Sequence, residues 1–446
     1  MRNNIALLTL LSAALCTDYV CAGEFENAQT AVSNMRIGWN LGNTLDANSG
    51  DCNNMWIERW TNRTPSAYET SWGQPVAIRE TIHMFKEAGF NTIRIPVTWY
   101  PHVGNTLDLC KDTGKWDMSQ WVGYEVDPVW MARVKEVVNY VIDEGMYCII
   151  NVHHDTGEAS TAWLKAEMDS YNKNKERFES LWTQIATEFR DYDEHLLFAG
   201  YNEILDKYVS WCFASYKAPG RYNEADARDA YQAVNSFAQS FVNAVRATGG
   251  NNAERNLIIN TYGSCSGAGT WNQHLDEPLT CLERPHDTAD DHIIFELHTY
   301  FDHRNLDNVK QEVDEVINDV QTYLLPKGAP AIIGEWGSNS DINANRQNLC
   351  DYARYYVEKC KEAGIANCYW MVLSDGADRN VPKFTAPDLV VAIVKGYYGE
   401  GGYSSIAEPV AENDTDPSIY NLMGVQVSGD LPAGIYIRAG RKFIVR

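Results

Sequence analysis

The sequence predicts an α/β fold, a (β/α)8 TIM barrel with a small C-terminal β tail. Eight apolar, strand-like runs recur between about residues 35 and 396, and segments with helical apolar spacing lie between them. Such runs are typical of parallel strands covered by helices, and eight of them favour a closed barrel over an open sheet. No glycine-rich phosphate-binding motif opens a helix, which argues against a nucleotide-binding open sheet.

Residues 1–22 are predicted to be a secretory signal peptide. A basic start precedes an apolar run from Ile5 to Cys16, and small residues lie near Ala22. This run is too short to cross a membrane, and no later run approaches about 18 uninterrupted apolar residues, so we expect no membrane span. The mature protein is therefore expected outside the cell, secreted or at the cell surface. A lipid-attachment cysteine at Cys16 or Cys21 is the alternative.

Residues 23–403 form the predicted barrel domain. In chain order, the eight strand-like runs are MRIGWNLG, NTIRIPV, YCIINVHH, LLFAGYNE, NLIINTYG, HIIFELHTY, AIIGEWG and CYWMVLS. Helices are expected between them at residues 75–88, 128–144, 175–190, 223–247, 305–325 and 344–362. These segments begin with Pro or a small polar residue and end at glycine, as in EAGF, DEGM and EAGI, which are typical helix boundaries.

Residues 404–446 form the predicted C-terminal β tail. From Ser418 onward, apolar and polar residues alternate in three short pieces separated by SGD, PAG and AGRK, which predicts a small β unit. Its YNLMG start and its GIYIRAGRKFIVR ending resemble the C-terminal sorting tails of the type IX secretion pathway. That resemblance implies the secretion machinery as a partner. A strand meander packed on the barrel is the alternative.

The charge and the cysteines exclude several classes of partner and site. A net charge of -23, from 60 acidic and 37 basic residues, repels phosphate groups, so nucleic acid and anionic membranes are poor partners. No CxxC pair exists, so we expect no structural zinc and no cofactor. Nine cysteines follow the signal peptide, an odd number that leaves at least one free. Some disulfides are expected among those in loop-like stretches, with unreadable pairing: Cys52, Cys110, Cys212, Cys265 and Cys281.

Polar or aromatic side chains stand at the ends of seven of the eight strand-like runs. In chain order these are Asn40, Asn43 and Asp46; Arg94; His153 and His154; Asn202 and Glu203; His298 and Tyr300; Glu335 and Trp336; and Trp370. The active sites of (β/α)8 barrels lie at the carboxyl ends of the strands. We therefore expect these side chains to surround one cleft. We expect the protein to be a monomer.

Glu203 and Glu335 are the candidate catalytic pair. Barrel closure brings the ends of the fourth and seventh strands to one cavity, and glycoside hydrolysis needs two carboxyl groups on either side of the cleaved bond. Arg94 and Tyr300 are expected to contact Glu335 and keep it nucleophilic. Asn202 is expected to donate to a sugar 2-hydroxyl. Glu203 is then the acid/base, with its pKa raised by the neighbouring negative charge.

At these residues the chain resembles glycoside hydrolase family 5 of the cellulase type. The motifs GWNLGNTLDA, WGQP, NTIRIPVTW, NVHHD, the Asn202–Glu203 pair, HTY, IIGEWG and YWM occur in the family's order across about residues 35–375. The resemblance implies Glu203 as acid/base and Glu335 as nucleophile, supported by Arg94, His153 or His154, Asn202, His298 and Tyr300, with Trp370 as a sugar platform. Ile204 stands where many family members have Pro after the Asn-Glu pair. This difference affects the assignment to a subgroup of the family more than the assignment of the mechanism.

The expected substrate is a polysaccharide cut internally. Tryptophan rings stack on sugars, and an open cleft that they line suits a β-1,4-glucan chain. The expected substrate-binding residues are Trp39, Asn43, Asp46, Trp72, Trp99, Trp336 and Trp370. These observations favour a retaining endo-β-1,4-glucanase, a cellulase. Xyloglucan, mixed-linkage glucan, xylan and mannan are alternative substrates.

Two rival functions compete with the two-carboxylate hydrolase. A metal-dependent hydrolase would take ligands from His153, His154, Asp155, His298 and His303, but it predicts an HxH motif that the chain lacks. Strand alternation also predicts that His153 and His154 point to opposite sides. A non-catalytic carbohydrate-binding barrel is the rival from another class, and it would need neither glutamate. Glu296 is the best competing carboxylate, although we expect it to be a paired structural acid.

Overall fold

The computed structural model describes residues 25–61, 64–217, 221–370 and 377–400 and four strands of the tail. Eight parallel strands close into a barrel in chain order, with β1 paired to both β2 and β8. They are β1 Ile37–Asn40, β2 Thr92–Ile95, β3 Tyr147–Asn151, β4 Leu196–Ala199, β5 Leu257–Asn260, β6 Ile293–Phe301, β7 Ala331–Ser338 and β8 Ala366–Tyr369. The predicted (β/α)8 barrel is confirmed.

Helices cover the outside of the barrel. The described helices are α1 Ala28–Met35, α2 Trp56–Trp60, α3 Pro65–Glu69, α4 Arg79–Glu87, α5 Thr106–Thr113, α6 Pro128–Ile142, α7 Met168–Glu188, α8 Glu224–Ala247, α9 Glu277–Thr280, α10 Leu306–Asp319, α11 Arg346–Glu362 and α12 Pro387–Tyr398. The six predicted helices correspond to α4, α6, α7, α8, α10 and α11. Helix α7 begins at Met168, earlier than expected. Its first turns are polar, so the apolar spacing of the sequence did not indicate them.

Helix α1 closes the amino end of the barrel. Its residues Ala28, Ala31, Val32 and Met35 are buried against inward-facing strand residues of the barrel interior. The backbone N–H of Ala28 donates to the carbonyl of Asp291, which lies just before β6. With this end covered, ligands reach the barrel interior from the carboxyl ends of the strands.

A β-bulge in β7 reverses the side to which its last residues point. Leu297 pairs with Ile333 and His298 with Glu335, so Gly334 has no partner. Ile332 faces the barrel interior, and simple alternation from it would point Glu335 outward. The extra residue instead turns Glu335 inward, because a bulge shifts the alternation by one residue.

The tail contains a small antiparallel sheet, as predicted. It has four strands in the order β12-β11-β13-β14: β11 Ile419–Asn421, β12 Gln426–Val427, β13 Gly434–Arg438 and β14 Arg441–Val445. The sequence predicts three pieces from Ser418 onward, whereas the structure has four strands, two of which, β11 and β12, precede the SGD separator. A short pair, β9 Ala377–Asp378 and β10 Lys383–Phe384, lies after the barrel.

The predicted signal peptide lies outside the described residues, as does much of segment 404–446. The domain boundaries at residues 22 and 403 therefore stay predictions. In the described part of the chain, no helix is long and apolar enough to cross a membrane. All nine cysteines from Cys52 to Cys368 are described, and each is a free thiol, so the expected disulfides are not formed.

Candidate active site

Arg94 connects the polar side chains at the open end of the barrel. It lies on β2 and is fully buried. One terminal nitrogen donates to Oε1 of Glu335 at 2.7 Å and to Oδ1 of Asn40 at 3.0 Å. The other donates to Oδ1 of Asn202 at 2.7 Å and lies 3.0 Å from Oε1 of Glu296. Burial lowers the pKa of Arg94, but Glu296 and Glu335 raise it above the ordinary value. The arginine therefore stays charged at the centre of the site.

Glu335 accepts hydrogen bonds on both carboxylate oxygens. Oε1 accepts a hydrogen bond from the Arg94 guanidinium, and Oε2 accepts one from the Tyr300 hydroxyl at 2.6 Å. These are the two contacts that the sequence predicted. Nδ1 of His298 lies 3.6 Å from Oε2. A positive charge and a hydroxyl donor thus stabilise negative charge on a side chain that is only 5% exposed.

Glu203 lies opposite and is more accessible, with 22% of its side chain exposed. Its Oε1 is 2.9 Å from Nδ1 of His298, and its backbone N–H donates to Oγ1 of Thr156 at 3.0 Å. Burial raises the pKa of Glu203, the charge of Glu335 adds to this, and His298 opposes it. One oxygen of Glu203 and one of Glu335 lie within 4.8 Å of each other.

His298 lies between three carboxylates. Nδ1 faces Glu203, and Nε2 is 3.1 Å from Oε1 of Glu296. Although burial lowers the pKa of His298, Glu335, Glu203 and Glu296 together raise it to about 9. The imidazole is therefore protonated at neutral pH and donates from both nitrogens.

Glu296 is a structural acid, as expected from the sequence. It is fully buried and contacts Arg94 and His298, which are both cationic. Burial raises its pKa, but those two cations more than offset that effect and lower the pKa below its ordinary value. Glu296 thus holds the two positive groups that in turn contact Glu203 and Glu335.

His153 and His154 both lie at the cleft, which corrects the prediction that they point to opposite sides. Strand β3 ends at Asn151, so alternation no longer applies beyond it. His153 stacks on Trp370 with ring centroids 5.7 Å apart, and Asn151 contacts its Nδ1 at 2.9 Å. His154 packs edge-on against Trp72 at 5.4 Å. Burial lowers the pKa of both imidazoles, that of His154 to about 4, so both are neutral.

Three of the five predicted sugar platforms are core residues, and the prediction is wrong for them. Trp39, Trp99 and Trp336 are fully buried. The residues next to Trp39 and Trp336 on their strands face the barrel interior, which turns both indoles outward toward the helices. Trp336 stacks on Tyr356 of α11 at 4.3 Å. Only Trp72 and Trp370 retain partial exposure at the cleft.

Asp46 shapes a turn and has no exposed surface for a substrate to contact, which corrects its expected role in substrate binding. Its carboxylate is fully buried and accepts the backbone N–H groups of Asn43 at 3.1 Å and Thr44 at 2.7 Å. Burial raises the pKa of Asp46 to about 6. Asn43 adopts a φ of 57° in this turn and stays partly exposed. Asp46 therefore positions Asn43.

Sequence reasoning missed two supporting residues. Asn151 accepts the Val97 backbone N–H at 3.1 Å and contacts His153, while Thr156 holds the backbone of Glu203. Asn151 carried a signal, since it is a polar residue at the carboxyl end of the otherwise apolar strand β3. Thr156 lies in a loop, where spacing carries no such information.

Two groups bring three potential metal ligands within 4.8 Å of one another: Asp46, His153 and His154; and Glu203, His298 and Glu335. Both oxygens of Asp46 already accept backbone N–H groups. Both ring nitrogens of His298 already contact carboxylates, Nδ1 that of Glu203 and Nε2 that of Glu296. The other proposed ligands are also committed: Asp155 accepts the N–H groups of Trp99 and Tyr100, and His303 contacts Ser338 and Ala344. Their geometry disfavours a metal-dependent hydrolase.

Known proteins share both this sequence and this fold. The family model "Cellulase (glycosyl hydrolase family 5)" matches residues 57–376. Endoglucanase B of Neocallimastix patriciarum is 32% identical over 391 residues, which cover 83% of this chain and 72% of that protein.

Two solved structures are also similar. A broad-specificity endoglucanase from an uncultured bacterium is 45% identical, with a TM-score of 0.75, over 84% of this chain and 97% of the other. A family 5 enzyme of Prevotella bryantii B14, a mutant in complex with the xyloglucan tetradecasaccharide XXXGXXXG, is 37% identical, with a TM-score of 0.69, over 84% and 99%. The chain therefore belongs to glycosyl hydrolase family 5, the cellulase family, and is a glycosidase.

Proposed function

We propose that the protein is an endo-β-1,4-glucanase that cleaves its substrate with retention of anomeric configuration. The observation that carries this proposal is the distance between the two carboxylates, whose nearest oxygens lie within 4.8 Å of each other. Retaining glycosidases separate their carboxyl groups by about 5–5.5 Å, whereas inverting ones need about 6.5–9.5 Å to admit a water molecule. The short separation of these oxygens supports the retaining arrangement over the inverting one.

In the proposed mechanism, Glu335 attacks the anomeric carbon and Glu203 protonates the leaving-group oxygen, so the glycosidic bond breaks as a glycosyl ester forms. Glu203, now a carboxylate, takes a proton from water, which attacks the same carbon and releases Glu335. The raised pKa of Glu203 suits the first step. Arg94 and Tyr300 stabilise the charge of Glu335 before attack and after release.

Asn202 is the proposed donor to the sugar 2-hydroxyl. Its Oδ1 accepts from Arg94, which can only donate. The amide oxygen is therefore committed, and the NH2 group is the part of the side chain left to donate to substrate. Such a bond strengthens at the oxocarbenium-like transition state.

Covalent trapping tests the mechanism. A 2-deoxy-2-fluoro cellobioside with a good leaving group destabilises the transition state and slows hydrolysis of the glycosyl ester. We expect mass spectrometry to find one added glycosyl group on the peptide that contains Glu335, and none in the Glu335→Gln variant. Initial products of α configuration, measured by NMR, would contradict retention.

The proposed substrates are β-1,4-glucans with tolerance for branches. One similar structure is named a broad-specificity endoglucanase, and another contains a xyloglucan oligosaccharide. The partly exposed Trp72 and Trp370 offer aromatic faces at the cleft. Initial rates on carboxymethyl cellulose, xyloglucan, mixed-linkage glucan, xylan and mannan would rank these substrates. Xylan or mannan as the best substrate would contradict the glucanase assignment.

We further propose that the protein is exported. Support comes from the signal-like residues 1–22 and from the resemblance of the tail to type IX sorting segments. Fractionation of the native cells, followed by mass measurement of the mature N- and C-termini, tests both segments. An intact N-terminus on protein found in the cytoplasm would contradict export.

A further inference from the structure

The backbone that carries Asn202 and Glu203 lies beyond the last residue of its strand. Strand β4 ends at Ala199, so the hydrogen-bond ladder of the barrel does not extend to these two residues. Buried backbone N–H and C=O groups nevertheless need hydrogen-bond partners. The groups that supply these partners therefore determine where the two side chains of the proposed mechanism lie.

Two buried hydroxyls hold the peptide between Asn202 and Glu203 from opposite sides. The Ser264 hydroxyl donates to the Asn202 carbonyl at 3.0 Å, and the Glu203 N–H donates to Oγ1 of Thr156 at 3.0 Å. In a trans peptide the C=O and the N–H point in opposite directions. Neither Ser264 nor Thr156 is more than 1% exposed, so both bonds are shielded from water.

A second partner fixes the direction of each hydroxyl. The Thr156 hydroxyl donates to the His153 carbonyl at 2.7 Å, which leaves its oxygen free to accept a backbone N–H. Nδ2 of Asn260 donates to Oγ of Ser264 at 3.0 Å, which leaves the Ser264 proton for a carbonyl. Each hydroxyl thus donates once and accepts once, and it cannot rotate without the loss of a bond.

The backbone of Ser264 is itself strained. Gly263 and Ser264 follow β5 and adopt φ of 55° and 50°. A non-glycine residue in this left-handed region persists only where its surroundings impose it, and such residues concentrate at functional sites. The Gly263 N–H donates to the Ile204 carbonyl at 3.0 Å. This turn is therefore attached to the segment directly after Glu203.

The residue after Glu203 explains why such support is needed. A proline restricts the backbone of the residue before it, but this chain has Ile204 at that position. The local sequence therefore does not fix the backbone of Glu203, and hydrogen bonds from the neighbouring loops do so instead.

We propose that Ser264 is a positioning residue for catalysis, which acts together with Thr156 on the peptide between Asn202 and Glu203. Asn202 is the proposed donor to the sugar 2-hydroxyl, and Glu203 is the proposed acid/base, so a shift of this one peptide displaces both groups. A displacement of about 1 Å lowers the rate about 100-fold. The inference rests on the proposed function, because it assumes those two roles.

Kinetics of Ser264→Ala on two substrates test this role. On a cello-oligosaccharide, whose cleavage uses both Asn202 and Glu203, we expect kcat to fall at least about ten-fold with KM nearly unchanged. The second substrate is an activated aryl β-cellobioside that lacks the 2-hydroxyl on the sugar next to the aryl group. Its kcat/KM should stay near the wild-type value, because its first step needs neither the 2-hydroxyl contact nor a proton.

Two further variants repeat the test. Thr156→Val removes the hydroxyl on the other side of the peptide at nearly constant volume and should give the same pattern, whereas Thr156→Ser should retain most of the activity. Ser264→Gly also removes a hydroxyl, but glycine adopts positive φ readily, so this variant adds no backbone strain.

Thr92→Val is the matched control. Thr92 is buried at the amino end of β2, and its hydroxyl donates to the Met35 carbonyl at 2.8 Å. Its replacement therefore removes the same kind of bond at the opposite end of the barrel. We expect a fall in melting temperature similar to that of Thr156→Val, with kcat unchanged on both substrates.

Three results would overturn the inference. They are an equal loss on both substrates, no loss in either Ser264 variant, and an equal loss in Thr92→Val, which would show that any lost buried hydroxyl impairs turnover. Wild-type protein that hydrolyses no β-glucan, or full activity of Asn202→Ala, would instead contradict the proposed function.

Discussion

Gly334 and Glu296 lie in direct contact across the pair β6 and β7, and a Cβ on residue 334 would overlap the Glu296 carboxylate. Gly334 is also the bulge residue that turns Glu335 into the barrel, and its carbonyl accepts from Asn40 at 2.9 Å. The absence of a side chain at residue 334 therefore leaves room for Glu296, which contacts Arg94 and His298. The bulge at the same residue orients Glu335, the proposed nucleophile.

Gly334→Ala should damage activity and stability together. The added methyl group must displace Glu296, which overpacks the site at a cost of about 1–3 kcal/mol in the free energy of unfolding. The proposed nucleophile would move with the bulge, and a displacement of about 1 Å lowers kcat/KM about 100-fold. Kinetics and urea unfolding measure the two effects.

Gly145→Ala is the control for this variant. Gly145 has a positive φ, of 64°, and no atom lies near its Cβ position, so its Ala variant reports a backbone cost of about 1 kcal/mol without any steric overlap. Equal activity of the two variants would contradict the proposed steric role of Gly334.

Exchange of either glutamate for glutamine should separate the two proposed roles. Glu335→Gln removes the nucleophile and should lower kcat by at least about 10⁴-fold on every substrate. Glu203→Gln should spare aryl glycosides, whose leaving groups need no proton, far more than polysaccharides. Circular dichroism and melting temperature should show intact folding. Retained turnover by Glu335→Gln would remove its assignment and favour a metal-dependent barrel, whereas a wild-type protein without turnover would favour a non-catalytic barrel.

His298→Gln should move the alkaline limb of the pH profile of kcat/KM to higher pH. Protonated His298 stabilises the carboxylate form of Glu203 and so lowers the pKa that burial raises. Without that charge, the pKa of Glu203 rises, and the proposed acid keeps its proton to higher pH. A profile measured from pH 4 to 9 on a cello-oligosaccharide, whose leaving group needs the proton from Glu203, checks the direction. A shift to lower pH would mean that another group controls this limb.

Trp336→Ala and Trp370→Ala should affect different quantities. Trp336 is fully buried against Tyr356, so its truncation should cost about 3–5 kcal/mol in the free energy of unfolding. Trp370 stacks on His153 at the cleft and stays partly exposed. Its truncation should raise KM on glucans about five- to ten-fold with little loss of stability. The opposite pattern would indicate that Trp336, and not Trp370, contacts the sugar.

The sequence by itself determined the barrel and the identity of the polar groups at its open end. Eight apolar runs that alternate with helices leave few other folds, and strand order then brings Glu203, Glu335 and Arg94 to one cavity. The contacts of Glu335 with Arg94 and Tyr300 followed from the same argument, because they require only that the strand ends converge.

The tertiary structure decided which side each residue faces. Alternation along a strand relates neighbours to one another, but it reveals neither which set points inward nor where a bulge shifts the pattern. For this reason Trp39 and Trp336 proved to be core residues, and Glu335 depends on Gly334. The loops after β4 and β5 likewise meet through the contact between the Asp206 backbone N–H and the Tyr262 hydroxyl, which joins residues distant in sequence and does not follow from local pattern.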